Sequence, residues 1–446
     1  MLFRSFLLTT HPYVMPGDAG EFQTLAATGG IAHAGYPALV LLLRLFGRIP
    51  ISTMALRANL LSCFSGALAV GCLVRLALKM NLWGPGALVA GIALALSRTL
   101  WSESTAAGVQ AFTLAIDAAL FLACLGYSRA PRMSVAILMG ALLGLGAVSH
   151  LTSLSLLPVI AVALLMARRL GRLRGGHVAG IVLGTLLGLL PLLYLVDRDR
   201  PEQPMNYIAD TLDLRSGEYF PAGSPPLGRL QRVEWLLSAR QYLGSRGAAP
   251  IAPVRQRFGR LAIDLTLNEY PFVGVLVALL GLASLARRRS AEGVMLGVWF
   301  LGALALVWKG ASLELTPIFF LPGMWILGIA LAAGLSVLHS RVRPIAWLAC
   351  AAVVLAPWVR LNLPAPPNAI AGRAAVDGAW ELWPRNWNPL VVDSGWDAYG
   401  RAVMARVEPG SDILACWAQA TPLRYFQYAE PLRGDVRIKF TCRNRR

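Results

Sequence analysis

The stretch MSVAILMGALLGLGAVSHLTSLSLLPVIAVALLMARRLGRLR, residues 133–174, decides the fold. Its first 35 residues contain no Asp, Glu, Lys or Arg. A helix needs only ~20 apolar residues to cross a hydrocarbon core of ~30 Å. Arg129 and Arg132 precede the run, and Arg168, Arg169, Arg172 and Arg174 follow it. Arginine-rich loops stay in the cytoplasm, so both ends lie on that side and the run is a hairpin. Its tip falls at Ser149-His150-Leu151-Thr152. Each arm of about 17 residues rises only ~25 Å, which leaves the tip just below the outer surface. An ionisable side chain at that depth, His150, is a functional candidate by default.

The same pattern extends along the chain. The 446 residues are 56% hydrophobic and only 14% charged, against about 25% charged in a soluble domain. The mean hydropathy is +0.58. Apolar runs near 56–78, 84–101, 106–127, 133–149, 151–167, 177–196, 271–286, 294–308, 317–338 and 344–361 predict about ten spans. Arginines crowd alternate loops, at Arg75, Arg129, the 168–174 cluster, Arg287 to Arg289, and Arg341 with Arg343. Those loops are cytoplasmic by the positive-inside rule. The formal charge of +18 thus reflects membrane topology, not nucleic-acid binding.

The expected architecture is an all-α polytopic membrane protein with a small C-terminal α/β extracytoplasmic module. A transmembrane domain covers 1–361, with outer loops at 12–50 and 197–270, and the module covers 362–446. Within the module, a helix over Ala398 to Val407 alternates with strand-like runs at Ile413 to Cys416 and Val436 to Phe440. Cys416 and Cys442 share that outer region and form a candidate disulfide. The other four cysteines sit in apolar runs, where Cys is a small hydrophobe.

Pro16-Gly17-Asp18-Ala19-Gly20-Glu21-Phe22 is the strongest local signal. Two carboxylates three residues apart, in an outward loop beside the membrane, suit general-base work or a metal. The competing reading is a helix capping box, with Asp18 as N-cap and Glu21 at N3. Next come His33 and Tyr36 within Gly30-Ile31-Ala32-His33-Ala34-Gly35-Tyr36-Pro37, set against an ordinary turn. Tyr36 to Arg48 reads as an interfacial helix, with Arg44 and Arg48 on one face. Arg57 and Asn59 open the first span.

In order and spacing these strings resemble a bacterial multispanning family related to a eukaryotic protein O-mannosyltransferase, within the GT-C glycosyltransferase superfamily. The resemblance rests on Asp18-Ala19-Gly20-Glu21-Phe22, Gly30-Ile31-Ala32-His33, Gly35-Tyr36-Pro37 and Arg57-Ala58-Asn59-Leu60-Leu61-Ser62. It continues at Gly144 to Thr152, Arg240-Gln241-Tyr242 and Leu432 to Val436. Two departures stand out. The His33 motif is one residue short and lacks the first proline. Gly108-Val109-Gln110 stands where many members have E-V-Y.

The resemblance implies transfer of a sugar, mannose in the family relative, from a polyprenyl-phosphate donor to an extracytoplasmic protein, glycan or lipid acceptor. Asp18 is then the general base and Glu21 its orienting partner. His33, Tyr36, Arg44, Arg48, Arg57, Asn59 and His150 are the substrate-binding candidates, arginine being matched to phosphate oxygens. No cofactor is called for, and two carboxylates alone do not make a divalent site. The bilayer and the lipid-linked donor are the expected partners, and a bacterial inner membrane the expected location. A lipid-carrier flippase and a catalytically inactive scaffold are the alternatives. The family's first span normally ends just before the Asp18 loop, so the short 1–15 segment suggests a misassigned start or a truncation.

Overall fold

The computed structural model describes residues 2–212, 226–240, 253–288, 290–309, 316–362 and 394–440. The molecule is a helical bundle with a small α/β unit docked at one end. Every apolar run read from the sequence is helical. The N-terminal part comprises α1 (Leu2–Leu8), α2 (Gly17–Thr28), α3 (Pro37–Gly47), α4 (Met54–Lys79), α5 (Gly84–Ala95), α6 (Arg98–Thr105), α7 (Val109–Arg129) and α8 (Met133–Ser149). A 3-10 turn over Leu151–Leu156 leads into α9 (Leu157–Arg169), followed by α10 (Gly175–Leu189) and α11 (Leu192–Arg198). Further apolar helices run over Phe272–Arg288, Ala291–Lys309, Leu321–Arg341 and Arg343–Asn362.

Six helices among the described residues are long and apolar enough to cross a membrane, or seven with one bent pair. Met133–Ser149, Gly84–Ala95 and Arg343–Pro357 are shorter apolar helices. The expected 84–101 span divides at Leu96-Ser97. α5 has only 12 residues, a rise of ~18 Å, and α6 carries Arg98 and Glu103 in a polar continuation. Thr99 at the start of α6 donates to Glu269 from its backbone N–H (3.0 Å) and its hydroxyl (2.6 Å). Glu269 ends the segment 254–269, which meets the helix after it at 114°.

The expected hairpin turns where the arginine pattern places it, at His150. α8, however, packs mainly on α10 and not on α9. Glycine makes that approach: Cβ atoms added at Gly140 and Gly184 would lie 2.0 Å from the Ile181 and Ile137 carbonyl oxygens across the interface. Small residues let helix backbones meet closely where lipid offers no hydrophobic drive.

Arg129 pairs with Glu292 at 2.6 Å, and Trp83 stacks on His339 with centroids 4.1 Å apart. All four lie on the side assigned to the arginine-rich loops. At the opposite end α2, α3 and the 149–152 turn assemble.

The C-terminal unit has a helix over Gly395–Arg406, strands β1 (Asp412–Ala415) and β2 (Arg437–Phe440), and a helix over Trp417–Tyr428. The strands pair in parallel, Asp412 opposite Arg437 and Ala415 opposite Phe440. Val14 and Ala55 from the bundle join Met404, Leu423, Tyr425 and Phe426 in one buried cluster. Tyr425 accepts a hydrogen bond from the Ala55 N–H at 3.1 Å. Cys442, like the linker that starts at Leu363 and the pair Gln241 and Tyr242, lies outside the described residues.

Candidate functional site

α2 starts at Gly17 after Pro16, with no side-chain cap. Asp18 is therefore inside the first turn, and the capping-box alternative does not occur. Both carboxylates have other partners. Glu21 is 1% exposed. Its Oε1 accepts the His33 backbone N–H at 2.8 Å, and its Oε2 lies 2.6 Å from His33 Nδ1. The other ring nitrogen of His33, Nε2, is 3.6 Å from Asp18 Oδ2. Asp18 Oδ1 accepts from Trp417 Nε1 at 2.8 Å. The Asp18 side chain is 54% exposed, so one carboxylate is locked inside and the other faces out.

The electrostatics follow from that arrangement. Burial penalises a charged His33, but the Asp18 and Glu21 carboxylates and the hydrogen bond to Glu21 outweigh it and lift the imidazole to about 9. Burial raises Glu21, opposed by the charge and hydrogen bond of His33. A proton thus stays in the Glu21–His33 pair at neutral pH. His150 behaves oppositely: burial and the His33 charge lower it to about 4. Its Nδ1 accepts from the Thr152 N–H at 3.3 Å, so the neutral ring carries its proton on Nε2.

Local backbone geometry sets these side chains. Gly29 closes α2 in the left-handed region (φ 64). A Cβ at Gly30 would sit 2.2 Å from the Met205 carbonyl oxygen, because Ile31 N–H donates to that carbonyl at 2.8 Å and Ile31 pairs in parallel with Asn206. That pairing brings Tyr207 to the His33 ring, with centroids 6.3 Å apart. Tyr36 takes φ 44, uncommon for a residue with a Cβ, and lies between His33 (5.4 Å, edge-on) and His150 (6.3 Å, stacked). Trp417 lies 5.6 Å from His33.

Asp18, Glu21, His33, Tyr36 and His150 thus come together. The other candidates do not. Asn59 is fully buried, and its amide donates to the His11 carbonyl (2.7 Å) while accepting from Gln23 (3.1 Å) and the Ala107 N–H (2.7 Å). The Arg57 guanidinium donates to the carbonyls of Gly47, Ile51 and Ser52. Both hold backbone in place. Arg44 lies against Gly29, where a Cβ would meet its side chain, and Arg48 is exposed; neither is among the partners of the carboxylates.

The structure adds residues that motif reading passed over: Trp417, Tyr207, Glu103 and Arg257. Arg257 is 3% exposed. Its Nη2 donates to the Trp308 carbonyl at 2.8 Å, and its Nε and Nη1 have no partner among the described residues. Its helix, Val254–Asp264, packs on Thr316–Phe319, and Phe319 reaches the His150 ring at 5.7 Å. The basic amphipathic run around Arg255, Arg257 and Arg260 was the available signal. Among the described residues no group of three or more His, Cys, Asp or Glu is disposed to hold a metal ion.

Residues 18–172 match the family model described as the Protein O-mannosyl-transferase TMEM260 N-terminal domain. Among solved structures the chain is similar to ArnT from Cupriavidus metallidurans bound to undecaprenyl phosphate, with TM-score 0.59 and 16% identity over 95% of this chain and 82% of that one. The apo state of the same protein gives 0.58 and 16% over the same shares. The fold defines the class: a multi-pass helical membrane protein whose bundle is similar to that of ArnT. The segment that matches the O-mannosyl-transferase family model carries Asp18, Glu21, His33, Tyr36 and His150.

Proposed function

We propose that this protein transfers a sugar from a polyprenyl-phosphate donor to a hydroxyl acceptor on the extracytoplasmic face of a bacterial membrane, with Asp18 as general base. One observation carries the reading: Asp18 is an outward-facing carboxylate fixed by Trp417, beside a second carboxylate already neutralised by His33. Asp18 Oδ2 has its nearest cation 3.6 Å away, which leaves it room to accept a proton. In the proposed step the acceptor O–H gives its proton to Asp18 as its oxygen bonds to the anomeric carbon. The bond from that carbon to the phosphate breaks, and the electron pair leaves on the carrier phosphate.

The donor phosphate needs a cation, and Arg257 fits better than Arg44, Arg48 or Arg57. Two of its guanidinium nitrogens are buried and have no partner among the described residues, a costly state that a phosphate relieves. The matched family name points to mannose and a protein hydroxyl, and the undecaprenyl phosphate in the ArnT structure supports a lipid-linked donor. A transporter would place ionisable groups in repeated broken helices near the midplane, whereas here Asp18, Glu21 and His33 gather at one end of the bundle.

The test uses membranes containing the full chain, radiolabelled undecaprenyl-phosphate mannose and a Ser/Thr-rich peptide. Asp18→Asn keeps the side chain's size and its bond from Trp417 but removes the base. Turnover is expected to fall roughly 10²-fold or more with normal membrane insertion. Wild-type transfer by Asp18→Asn would eliminate Asp18 as the base.

A further inference from the structure

Gly108 departs from the pattern that the rest of the N-terminal half resembles. Its backbone does not demand glycine: φ −158 and ψ 161 are extended, a conformation open to any residue. A side chain there would press on Glu103 instead. A Cβ at 108 would lie 3.1 Å from Glu103 Oε2. The Glu103 carboxyl therefore fills the volume into which a side chain at 108 would grow.

The surroundings fix that placement. Residues 106–108 link α6 to α7 and are clamped by the Arg57–Ser62 motif. Asn59 accepts from the Ala107 N–H at 2.7 Å, and Ser62 Oγ accepts from the Gly108 N–H at 3.2 Å. Ala106 packs with Met15 and Ala19 at the start of α2, which brings the α6 end up against Asp18. Burial and the Asp18 charge together raise Glu103 to about 7.

Glu103 differs from the three polar side chains around it. Asp18 is held by Trp417, Glu21 by His33, and Asn59 by three groups. The half-buried Glu103 carboxyl has no hydrogen-bond or ion-pair partner among the described residues. It makes no helix cap. A partly desolvated carboxyl without a partner is destabilising unless a ligand completes it.

We propose that Glu103 contacts substrate: from α6 it fills the place of a side chain at 108 and hydrogen-bonds a hydroxyl or amide N–H of the acceptor beside Asp18. This rests on the glycosyl-transfer reading above. It adds an acceptor-holding group to the base already assigned.

The experiment measures kcat and KM in membranes containing the full chain, with undecaprenyl-phosphate mannose and a Ser/Thr-rich peptide as probes. Glu103→Ala is expected to raise the peptide KM at least 10-fold and leave the donor KM unchanged. Adding Gly108→Glu to Glu103→Ala should recover most of that loss, because the shortened side chain at position 103 vacates the space. A merely structural glutamate would not be rescued from position 108. Glu103→Met, of similar reach but without polar oxygens, carries the test should Glu103→Ala fail to accumulate, and it is expected to show the same KM rise. Unchanged peptide KM in these variants, or a double variant no better than Glu103→Ala, overturns the proposal while leaving the activity standing. A wild-type chain with no transfer above membranes that lack it overturns the glycosyl-transfer reading and this proposal with it.

Discussion

At the residue scale, Asp18 and Glu21 show how two identical functional groups one helical turn apart acquire different tasks. Glu21 points into the protein and is neutralised by His33; Asp18 points out and is steadied by Trp417. The result is checkable by NMR of ring-labelled histidine. His33 should titrate near 9 and His150 near 4. Because the folded His33 lies above its unfolded value of about 6.5, its contribution to stability is fully present below that value. It is lost as pH rises through about 9. Glu21→Gln removes one of the two carboxylates, so the His33 midpoint should fall toward its unfolded value. A midpoint still near 9 in that variant would leave Asp18 alone responsible. The motif residues themselves were legible in the sequence, but their partners were not. Asp18 with Glu21 at i+3 reads equally as a cap or a catalytic pair until the fold supplies His33 and Trp417.

At the element scale, helix existence followed from apolar runs, since burial in lipid leaves the backbone no other way to satisfy its hydrogen bonds. Helix ends were less legible. The run 84–101 reads as one span by hydropathy, yet it breaks at Leu96-Ser97 because Glu269, from a distant segment, captures Thr99 at the start of α6. Nothing local announces that partner. The Gly29-Gly30 junction after α2 is the reverse case. Gly29 ends the helix in the left-handed region, and Gly30 admits the Met205 carbonyl at a distance no Cβ tolerates. Gly30→Ala forces the 31–206 pairing apart. Overpacking of this kind costs about 1–3 kcal/mol, so the detergent-solubilised variant should unfold several degrees below wild type. An unchanged Tm would show that the loop yields without cost.

At the scale of the whole molecule, the C-terminal unit is part of the site. The helix Trp417–Tyr428 packs along α2, and Gly20 permits it: a Cβ there would meet Thr421 Oγ1 at 3.0 Å and the Met15 carbonyl at 2.2 Å. Trp417→Phe keeps the aromatic contact with His33 and removes the indole N–H that holds Asp18. A hydrogen bond to a charged group contributes about 1.5–3 kcal/mol. The variant should therefore bind donor normally and turn over roughly 10-fold or more slowly, since Asp18 is no longer aimed. Wild-type turnover would mean that Asp18 is positioned by α2 alone.

Amino-acid order was enough for the membrane class, the helical segments, the α/β character of the tail and the Asp18–Glu21 motif. Each of these is a local property: hydropathy over ~20 residues, alternation in a strand, or a short motif. Which groups complete the site emerges only once the helices are packed. Trp417 meets Asp18 across 399 positions of chain, Glu103 lies beside Gly108, and Arg57 and Asn59 hold backbone. Those outcomes depend on how separate helices pack and on which polar atoms are left unpaired once they have, and no window of sequence contains that information.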